Sequence, residues 1–215
     1  MNPNSMLNWW PLVATARVPK PKTVLVKVED PHALWEVLEG KAVFSLDLLL
    51  GIAYAIHEVG LPAFIRGDLA SGKHGDMTGW RITNGNDIGP ITRRLYNIVE
   101  AQAMGPEEMP EAFAVRRFIP LDSSFSAFHG LPIARARRYF VKDGKVVCSH
   151  PYWPAASIEF YKETIREDWA EPWGKSLKAL NAVTPFEEHK LTRYARLLAD
   201  RLPGYWSVDF AHAKD

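Results

Sequence analysis

The chain has 215 residues, 47% of them hydrophobic and 24% charged, which is typical of a globular protein and argues against a disordered one. Its 26 lysines and arginines nearly balance its 25 aspartates and glutamates, so there is no global basic charge to drive sequence-independent DNA binding. The single cysteine, Cys148, excludes an intrachain disulfide and favours an intracellular setting. The longest apolar stretch, Leu46–Ile56, is too short to span a bilayer, and the N-terminus lacks a signal-peptide pattern, so we expect a cytoplasmic protein.

The first predicted elements are an arm, a strand and a helix. Residues 1–22 are rich in Pro and Trp and predict an arm that leads into a strand at Val24–Val28. Apolar residues then recur at helical spacing over Leu46–Val59, which predicts a helix. Ser45 is placed to cap the start of this helix, and Gly60 is placed to stop it.

A strand, a loop and a second helix follow. Ala63–Arg66 predicts a short strand, and residues 67–79 predict a loop that is too rich in Gly to be regular. Asp87 and Pro90 then open a helix that Gly105 closes.

The next segments predict an antiparallel meander of strands at Phe113–Leu121, Pro132–Val141 and Lys145–His150. The last two flank Asp143-Gly144, a strong hairpin signal because both residues tolerate positive φ.

The last predicted elements are a capped helix and a strand. Thr184 and Glu187 have the spacing of a capping box, with Pro185 at the first helical position. The strand Tyr205–Ala211 alternates apolar and polar residues, which places Asp209 on its polar face.

Helices and strands are mixed without a regular βαβ alternation, which predicts an α+β fold of two lobes. We expect the lobes to meet near residue 112. Residues 1–112 would hold the N-terminal arm and the first lobe, and residues 113–215 would hold the second lobe.

A Gly-rich segment from Gly67 to His74 matches the phosphate-loop pattern, except that His74 stands where Ser or Thr should bind magnesium. A phosphate loop needs a helix directly after it, and residues 75–79 are a poor helix start, so we reject this interpretation. What remains is a flexible loop carrying Lys73, suited to covering phosphates, or else a solvated surface turn.

Three arginines lie close together in the predicted strand Pro132–Val141. By alternation Arg138 lies on a face of small apolar residues, while Arg135 and Arg137 point the other way. An arginine on such a face needs an anion or a carboxylate to satisfy its donors. Arg138 is therefore either a ligand for an anion or one half of a structural ion pair.

RNA binding through Arg116, Arg117, Arg135 and Arg137 is a further hypothesis. The sequence offers no interleaved aromatic platform, and its neutral charge balance argues against nucleic acid as a partner.

Cysteine and histidine chemistry finds little support. Cys148 and His150 lack partners at a recognisable zinc-binding spacing. His74 and His129 are accompanied by no marked Ser or Cys nucleophile, which argues against acyl-enzyme chemistry.

The segments that carry chemistry follow one another in a recognisable order: Phe64-Ile65-Arg66 leading into Ser71-Gly72-Lys73-His74, then Val115–Leu121, then Pro132–Val141 with Asp143-Gly144, and finally Trp206-Ser207-Val208-Asp209. In this order they resemble the ATP-grasp superfamily, in the divergent clade that includes a eukaryotic translation initiation regulator and uncharacterised phage and bacterial proteins. The resemblance covers about residues 60–215. It implies two α+β lobes with the nucleotide site between them.

The resemblance also implies roles for individual residues. Lys73 and Arg138 would be catalytic, Asp209 would be the first magnesium-binding carboxylate, and the backbone of 115–121 would meet adenine at the hinge. The implied ATP-binding residues are Arg66, Ser71, Gly72, Lys73, Arg117, Ile119, Asp122 and Arg138.

The sequence departs from the family pattern in two places. Ala136 stands where the family's Glu-x-Arg pattern has its glutamate. The sequence ends at Asp215, ahead of the strand that in the family carries a second acidic residue and an Asn. With Asp209 alone, we expect an incomplete magnesium site.

The resemblance implies ATP and Mg²⁺ as cofactors and an ATP-dependent carboxylate-amine ligase that acts through an acylphosphate. The acceptor would be a protein, a peptide or a small molecule, with no membrane partner. The alternative is a non-catalytic, ATP-dependent binding or assembly factor, which Ala136 and the incomplete metal site would suit.

Overall fold

The computed structural model describes residues 2–69, 81–104, 109–128, 131–165 and 173–214. The chain divides into two compact units: unit 1 is Met1–Pro11 with Lys20–Phe118, and unit 2 is Leu12–Pro19 with Ile119–Asp215. None of the helices in the described ranges is long and apolar enough to cross a membrane.

The described elements that begin in unit 1 are α1 (Met6–Ala14), β1 (Thr23–Lys27), α2 (Ala33–Leu38), α3 (Leu46–Val59), β2 (Ala63–Gly67), β3 (Arg81–Ile82), α4 (Ile88–Ala103) and β4 (Ala112–Arg117). The strands pair antiparallel in one sheet, in the order β1-β4-β2-β3. Helix α3 packs on β1 and β4, and α4 packs on β2. Burial of large apolar side chains between these helices and the sheet stabilises the unit by about 1.5–3 kcal/mol for each side chain. The buried core includes Ile52, Ile65, Leu95, Phe113 and Val115.

Both helices predicted in the first half are confirmed. The Ser45 hydroxyl accepts a hydrogen bond from the Leu48 N–H at 3.3 Å, and Gly60 ends α3 with φ +77°. The Asp87 carboxylate caps α4 by accepting from the Gly89 N–H at 3.2 Å. The predicted first strand is β1, and the strand predicted at Ala63–Arg66 is β2.

The predicted arm is wrong in part, because residues 1–22 contain α1. Pro11 lies inside this helix and weakens the helical signal in the sequence. A long-range contact holds its start: the buried Ser5 hydroxyl bonds the Asp68 carboxylate and also accepts from the Leu7 N–H at 3.2 Å. Helix α2 is likewise absent from the predictions.

The strand predicted at Phe113–Leu121 is too long, because β4 ends at Arg117. The Phe118 N–H donates to the Pro62 carbonyl at 2.9 Å instead of continuing the ladder. Pro120 has no N–H to donate, and Leu121 forms an isolated bridge with Ala213.

The described elements that begin in unit 2 are β5 (Ser123–Ala127), β6 (Leu131–Ala134), β7 (Ala136–Lys142), β8 (Lys145–Pro151), α5 (Ala155–Ile165), α6 (Trp173–Asn181), α7 (Pro185–Ala199) and β9 (Tyr205–Ala211). Strands β5 and β6 pair with one another, and β8, β7 and β9 form an antiparallel sheet in that order. Helix α7 packs on β7 and β8, where Tyr139, Val141, Ala195 and Ala199 are buried.

The strand predicted at Pro132–Val141 is two strands, β6 and β7, and Arg135 lies between them. The Arg135 N–H donates to the Asp122 carbonyl at 2.8 Å, outside either ladder, which breaks the strand. Sequence alternation does not reveal such a break, because the apolar pattern runs through it.

The hairpin, the capped helix and the last strand are confirmed. Asp143 and Gly144 have φ of 45° and 80° and join β7 to β8. The Thr184 hydroxyl accepts from the Glu187 N–H at 3.2 Å, and the Glu187 carboxylate accepts from the Thr184 N–H at 3.0 Å. Pro185 begins α7.

The division between the units lies after Phe118, whereas the sequence suggests residue 112. Strand β4 belongs to unit 1 because it pairs with β1 and β2 along its whole length. The family resemblance implies a hinge strand at residues 115–121. In the structure the corresponding strand is β4, which ends at Arg117, within unit 1.

Candidate functional site

The face of the β8-β7-β9 sheet opposite α7 brings together two predicted site residues. Arg138 on β7 lies directly across from Asp209 on β9. The Arg138 Nε donates to the Asp209 Oδ1 at 2.7 Å, and its Nη2 donates to Oδ2 at 2.9 Å. Each side chain is about one-third exposed, so solvent and ligands can reach the pair.

Strand alternation explains this placement. Arg137, Tyr139 and Val141 face α7, so Arg138 points to the opposite side of the sheet. The predicted separation of Arg138 from Arg137 is therefore confirmed. On β9 the apolar residues likewise face α7, which leaves Asp209 on the same side as Arg138.

The guanidinium of Arg138 is held from two directions. Hydrogen bonding to Asp209 raises the pKa of Arg138 above its ordinary value, against the opposing effect of burial. The Tyr152 ring lies under the guanidinium, with 4.7 Å between the guanidinium carbon and the ring centroid. A planar fork fixed in this way is suited to binding a phosphate or a carboxylate.

Aromatic side chains continue along the same face. The Phe140 ring stacks on Tyr205 at 5.8 Å and lies tilted against His150 at 5.6 Å. His150 is the partner of Arg138 on β8. The ion pair therefore lies beside a row of rings that spans three strands.

The described residues do not fit a magnesium ion at Asp209. Both oxygens of this carboxylate accept from Arg138, and Mg²⁺ demands near-octahedral oxygen ligands. Within the described ranges, no group of three or more His, Cys, Asp or Glu residues is placed to hold a metal.

In unit 1 the predicted site residue Arg66 lies on the sheet face opposite α3 and α4. On the same face, Arg116 of β4 lies across from Phe64, which is two residues before Arg66 on β2. The Arg116 Nε donates to the Thr23 hydroxyl at 3.2 Å, and the guanidinium lies over the Trp10 ring. Burial, and secondarily the charge of Arg66, lower the pKa of Arg116 to about 10.

Arg117, which the resemblance gives to the ATP site, lies on the other side of the sheet from Arg66. Its guanidinium donates to the Leu61 carbonyl and lies against Gly60, at the turn between α3 and β2. Arg66 and Arg117 are therefore not brought together.

The remaining predicted residues have backbone roles or lie outside the described residues. Ile119 is partly exposed. The Asp122 N–H donates to the His212 carbonyl at 2.9 Å, which joins β5 to the segment after β9. The predicted loop residues Ser71, Gly72 and Lys73 lie outside the described residues, as do His74 and His129.

Arg135 and Arg137 both form ion pairs with glutamates of α7. Arg135 lies 2.8 Å from the Glu187 carboxylate, and Arg137 lies 3.7 Å from Glu188. The backbone N–H of Thr184 is the main cause of a lowered pKa at Glu187, to which Arg135 adds. These contacts do not favour the RNA hypothesis for this pair of arginines.

Tyr152 and Arg116 are candidate site residues that the sequence analysis does not place in the ATP site. In a regular hairpin, counting residues outward from the Asp143-Gly144 turn along β7 and β8 gives the β8 residue that lies across from Arg138. A register shift between Phe140 and Val141 changes that count, however, and the sequence carries no sign of it. Only the register of β4 shows that Arg116, and not Arg117, lies on the same sheet face as Arg66.

Comparisons with known proteins report on the fold. No protein-family model matches the chain, and no curated protein matches it. The chain is similar in structure to C-terminally truncated Cdc123 from Schizosaccharomyces pombe, with a TM-score of 0.54, 11% identity, and coverage of 98% of this chain and 79% of that one. A second Cdc123 structure from the same yeast gives a TM-score of 0.50 with 11% identity, and the match covers 96% of this chain and 77% of that one.

A RimK domain ATP-grasp protein from Sphaerobacter thermophilus gives a TM-score of 0.46 with 12% identity, and the match covers 97% of this chain and 53% of that one. At these identities the likeness to Cdc123 reports the fold alone. The prediction of an α+β architecture is confirmed. The protein has an α+β fold similar to that of Cdc123.

Proposed function

We propose that this protein binds ATP, with Arg138 directed at the terminal phosphates. The observation that carries the proposal is the Arg138–Asp209 pair on one accessible sheet face. The family resemblance implies separate roles for these two residues, Arg138 at the phosphate and Asp209 at the metal, and they belong to strands far apart in the chain. The resemblance of the sequence to the ATP-grasp superfamily supports the same conclusion.

The donors of Arg138 suit a phosphate. A guanidinium carries five N–H donors, and Asp209 accepts from Nε and Nη2, so the remaining donors are not used by that carboxylate. Tyr152 and Asp209 fix the plane of the group, so little side-chain entropy is lost when a phosphate binds. Lys73 of the Gly-rich loop is proposed as a second cation on the phosphates, and Arg66 as a third.

The proposed reaction is ATP-dependent carboxylate-amine ligation. A substrate carboxylate oxygen attacks the γ-phosphorus and releases ADP, which gives an acylphosphate. An amine then attacks the acyl carbon, forms the amide and releases phosphate. Arg138 and Lys73 would stabilise the charge on the transferred phosphoryl group by fixed electrostatics, and the acceptor would be a protein, a peptide or a small molecule.

A non-catalytic ATP-dependent binding or assembly factor is the second candidate. It is favoured by the carboxylate of Asp209, because both oxygens of this carboxylate accept hydrogen bonds from Arg138. Ala136 at the start of β7 adds no acid to this face.

Lys73→Ala tests the ATP site and the reaction together. We expect it to weaken ATP binding by about 1.5–3 kcal/mol, the value of a hydrogen bond to a charged group, with little effect on folding. Equal ATP affinity in both proteins, measured by calorimetric titration, would remove Lys73 from the site. Release of ADP and phosphate that depends on an added acceptor would support the ligase, and ATP binding without turnover would support the assembly factor.

A further inference from the structure

Helix α3 presents a row of apolar side chains to solvent. Its buried side chains pack against β1 and β4. On the outer side, Leu46, Leu50 and Tyr54 follow one another at intervals of one helical turn, and their exposed fractions are 69%, 58% and 65%. Val43, which precedes the helix, is 86% exposed. We call these four residues the α3 row.

The α3 row has the composition of an interface core. The helix contains no lysine or arginine, and its charged residues, Asp47 and Glu58, lie near its two ends. A solvated helix face ordinarily carries charged residues along its length, whereas the cores of interfaces are depleted of charge and enriched in aromatic side chains. An exposed apolar row of this kind therefore indicates a surface that another molecule covers.

The size of the α3 row fits a dimer interface. Its four side chains, each more than half exposed, together offer roughly 400–500 Å² of surface, about as much as the largest apolar patch of a typical monomer. A specific interface buries about 800 Å² from each partner and has a polar rim around an apolar core. The row is large enough to form that core, and the exposed residues Asp47 and His57 border it.

The α3 row is complementary to itself. Side chains four residues apart form a ridge, and ridges of this kind interdigitate when two helices cross at about 50°. With a twofold axis at Leu50, that residue meets its own copy, and Leu46 meets Tyr54 of the partner subunit. The antiparallel arrangement also brings Asp47 toward His57 of the partner subunit, because these residues lie near opposite ends of the helix. The Asp47 carboxylate can then accept a hydrogen bond from the imidazole, and the two helix dipoles are antiparallel.

We propose that a second copy of this chain covers the α3 row, in an antiparallel dimer with its twofold axis at Leu50. Self-complementarity favours a second copy over an unrelated protein, because an isologous contact uses the same surface twice. The inference does not rest on ATP binding, since the row contains none of the residues assigned to the nucleotide. Failure of the proposed function therefore leaves it intact.

Sedimentation equilibrium of the full chain measures the dimer directly. We expect a reversible equilibrium between monomer and dimer with a Kd in the micromolar range. Leu50→Asp should raise that Kd about a hundredfold or more, because it places two carboxylates side by side at the axis. Leu50 is exposed in the single chain, so the variant should fold, and Tyr54→Asp is the second variant if it does not. Phe186→Asp is the matched control, because Phe186 is a 77% exposed side chain of α7 in unit 2.

Cross-linking tests the position of the axis. The variant is Leu50→Cys in a Cys148→Ser background, since Cys148 is itself exposed. Mild oxidation should link Leu50→Cys chains into a covalent dimer, because a residue on the axis lies beside its own copy, and Phe186→Cys chains should stay unlinked. A chain that is monomeric at about 100 μM would overturn the inference and leave the α3 row to a different partner. A dimer that Leu50→Asp and Tyr54→Asp do not weaken, or that Leu50→Cys does not cross-link, would overturn it as well.

Discussion

Arg138 and Asp209, opposed on β7 and β9, form an ion pair through two hydrogen bonds of 2.7 and 2.9 Å. The sequence is compatible with two interpretations of Arg138, an anion ligand and a structural ion pair. In this structure Arg138 forms the ion pair. We propose that it also binds the anion when ATP is present. Variants of either residue should therefore affect both stability and binding.

The ion pair itself should be measurable as a coupling energy. Both side chains are about one-third exposed, so solvent screening limits the coupling to about 0.5–1 kcal/mol. A double-mutant cycle with Arg138→Met and Asp209→Asn, followed by urea unfolding, gives this value. Additive effects of the two substitutions would mean that the pair contributes no stability.

Magnesium should strengthen ATP binding only weakly. Both oxygens of Asp209 accept from Arg138, and no group of three or more His, Cys, Asp or Glu among the described residues is placed to hold a metal. We expect ATP affinities in millimolar Mg²⁺ and in excess EDTA to differ by less than about tenfold, or about 1.4 kcal/mol. Asp209→Asn should remove what difference there is. A strong Mg²⁺ dependence that survives Asp209→Asn would assign the metal to other residues.

Glu187 should stabilise unit 2 in a pH-dependent way. Its pKa is lowered, first by the Thr184 backbone N–H, so its stabilisation is present above the unfolded pKa of about 4.3 and is lost as pH falls through the folded value. Glu187→Gln should cost about 0.5–1 kcal/mol at pH 7 and progressively less below pH 4. Glu188→Gln, at a 53% exposed side chain, is the control. A cost independent of pH would exclude the carboxylate charge as its cause.

The β7–β8 turn should reject a side chain at Gly144. This residue has φ +80°, a left-handed conformation that costs a non-Gly residue about 1–2 kcal/mol. Gly144→Ala should lower the free energy of unfolding by about that amount. Gly174→Ala, in α6 with no atom within 4 Å of the added methyl, should be neutral or stabilising. Equal effects of the two substitutions would contradict the turn assignment.

Local signals predicted much of this fold. Ser45, Thr184 and the Asp143-Gly144 pair mark element ends by chemistry that acts within a few residues, and all three are found where predicted. Helix α1 escaped prediction because its start depends on Ser5 and Asp68, which are remote in sequence. The break at Arg135 also depends on a remote partner, the Asp122 carbonyl.

For the candidate site, as for the fold, the sequence predicted the features that depend on neighbouring residues and missed those that depend on strand pairing. Alternation placed Arg138 and Asp209 on the correct faces of their strands, but it could not show that the two strands are neighbours. Tyr152 contacts Arg138 across a register shift that the sequence does not reveal. The difference between Arg116 and Arg117 likewise depends on the pairing of β4 with β2.

Calorimetric titration of ATP into the full chain tests the central claim most directly. We expect saturable one-to-one binding, which Arg138→Met should weaken by about 1.5–3 kcal/mol because a fixed cation on the phosphates is lost. Arg137→Met, on the opposite face of β7, should leave ATP affinity within about twofold, with folding checked by circular dichroism. Absence of ATP binding at millimolar concentration, or loss of binding with Arg137→Met and not with Arg138→Met, would contradict the account.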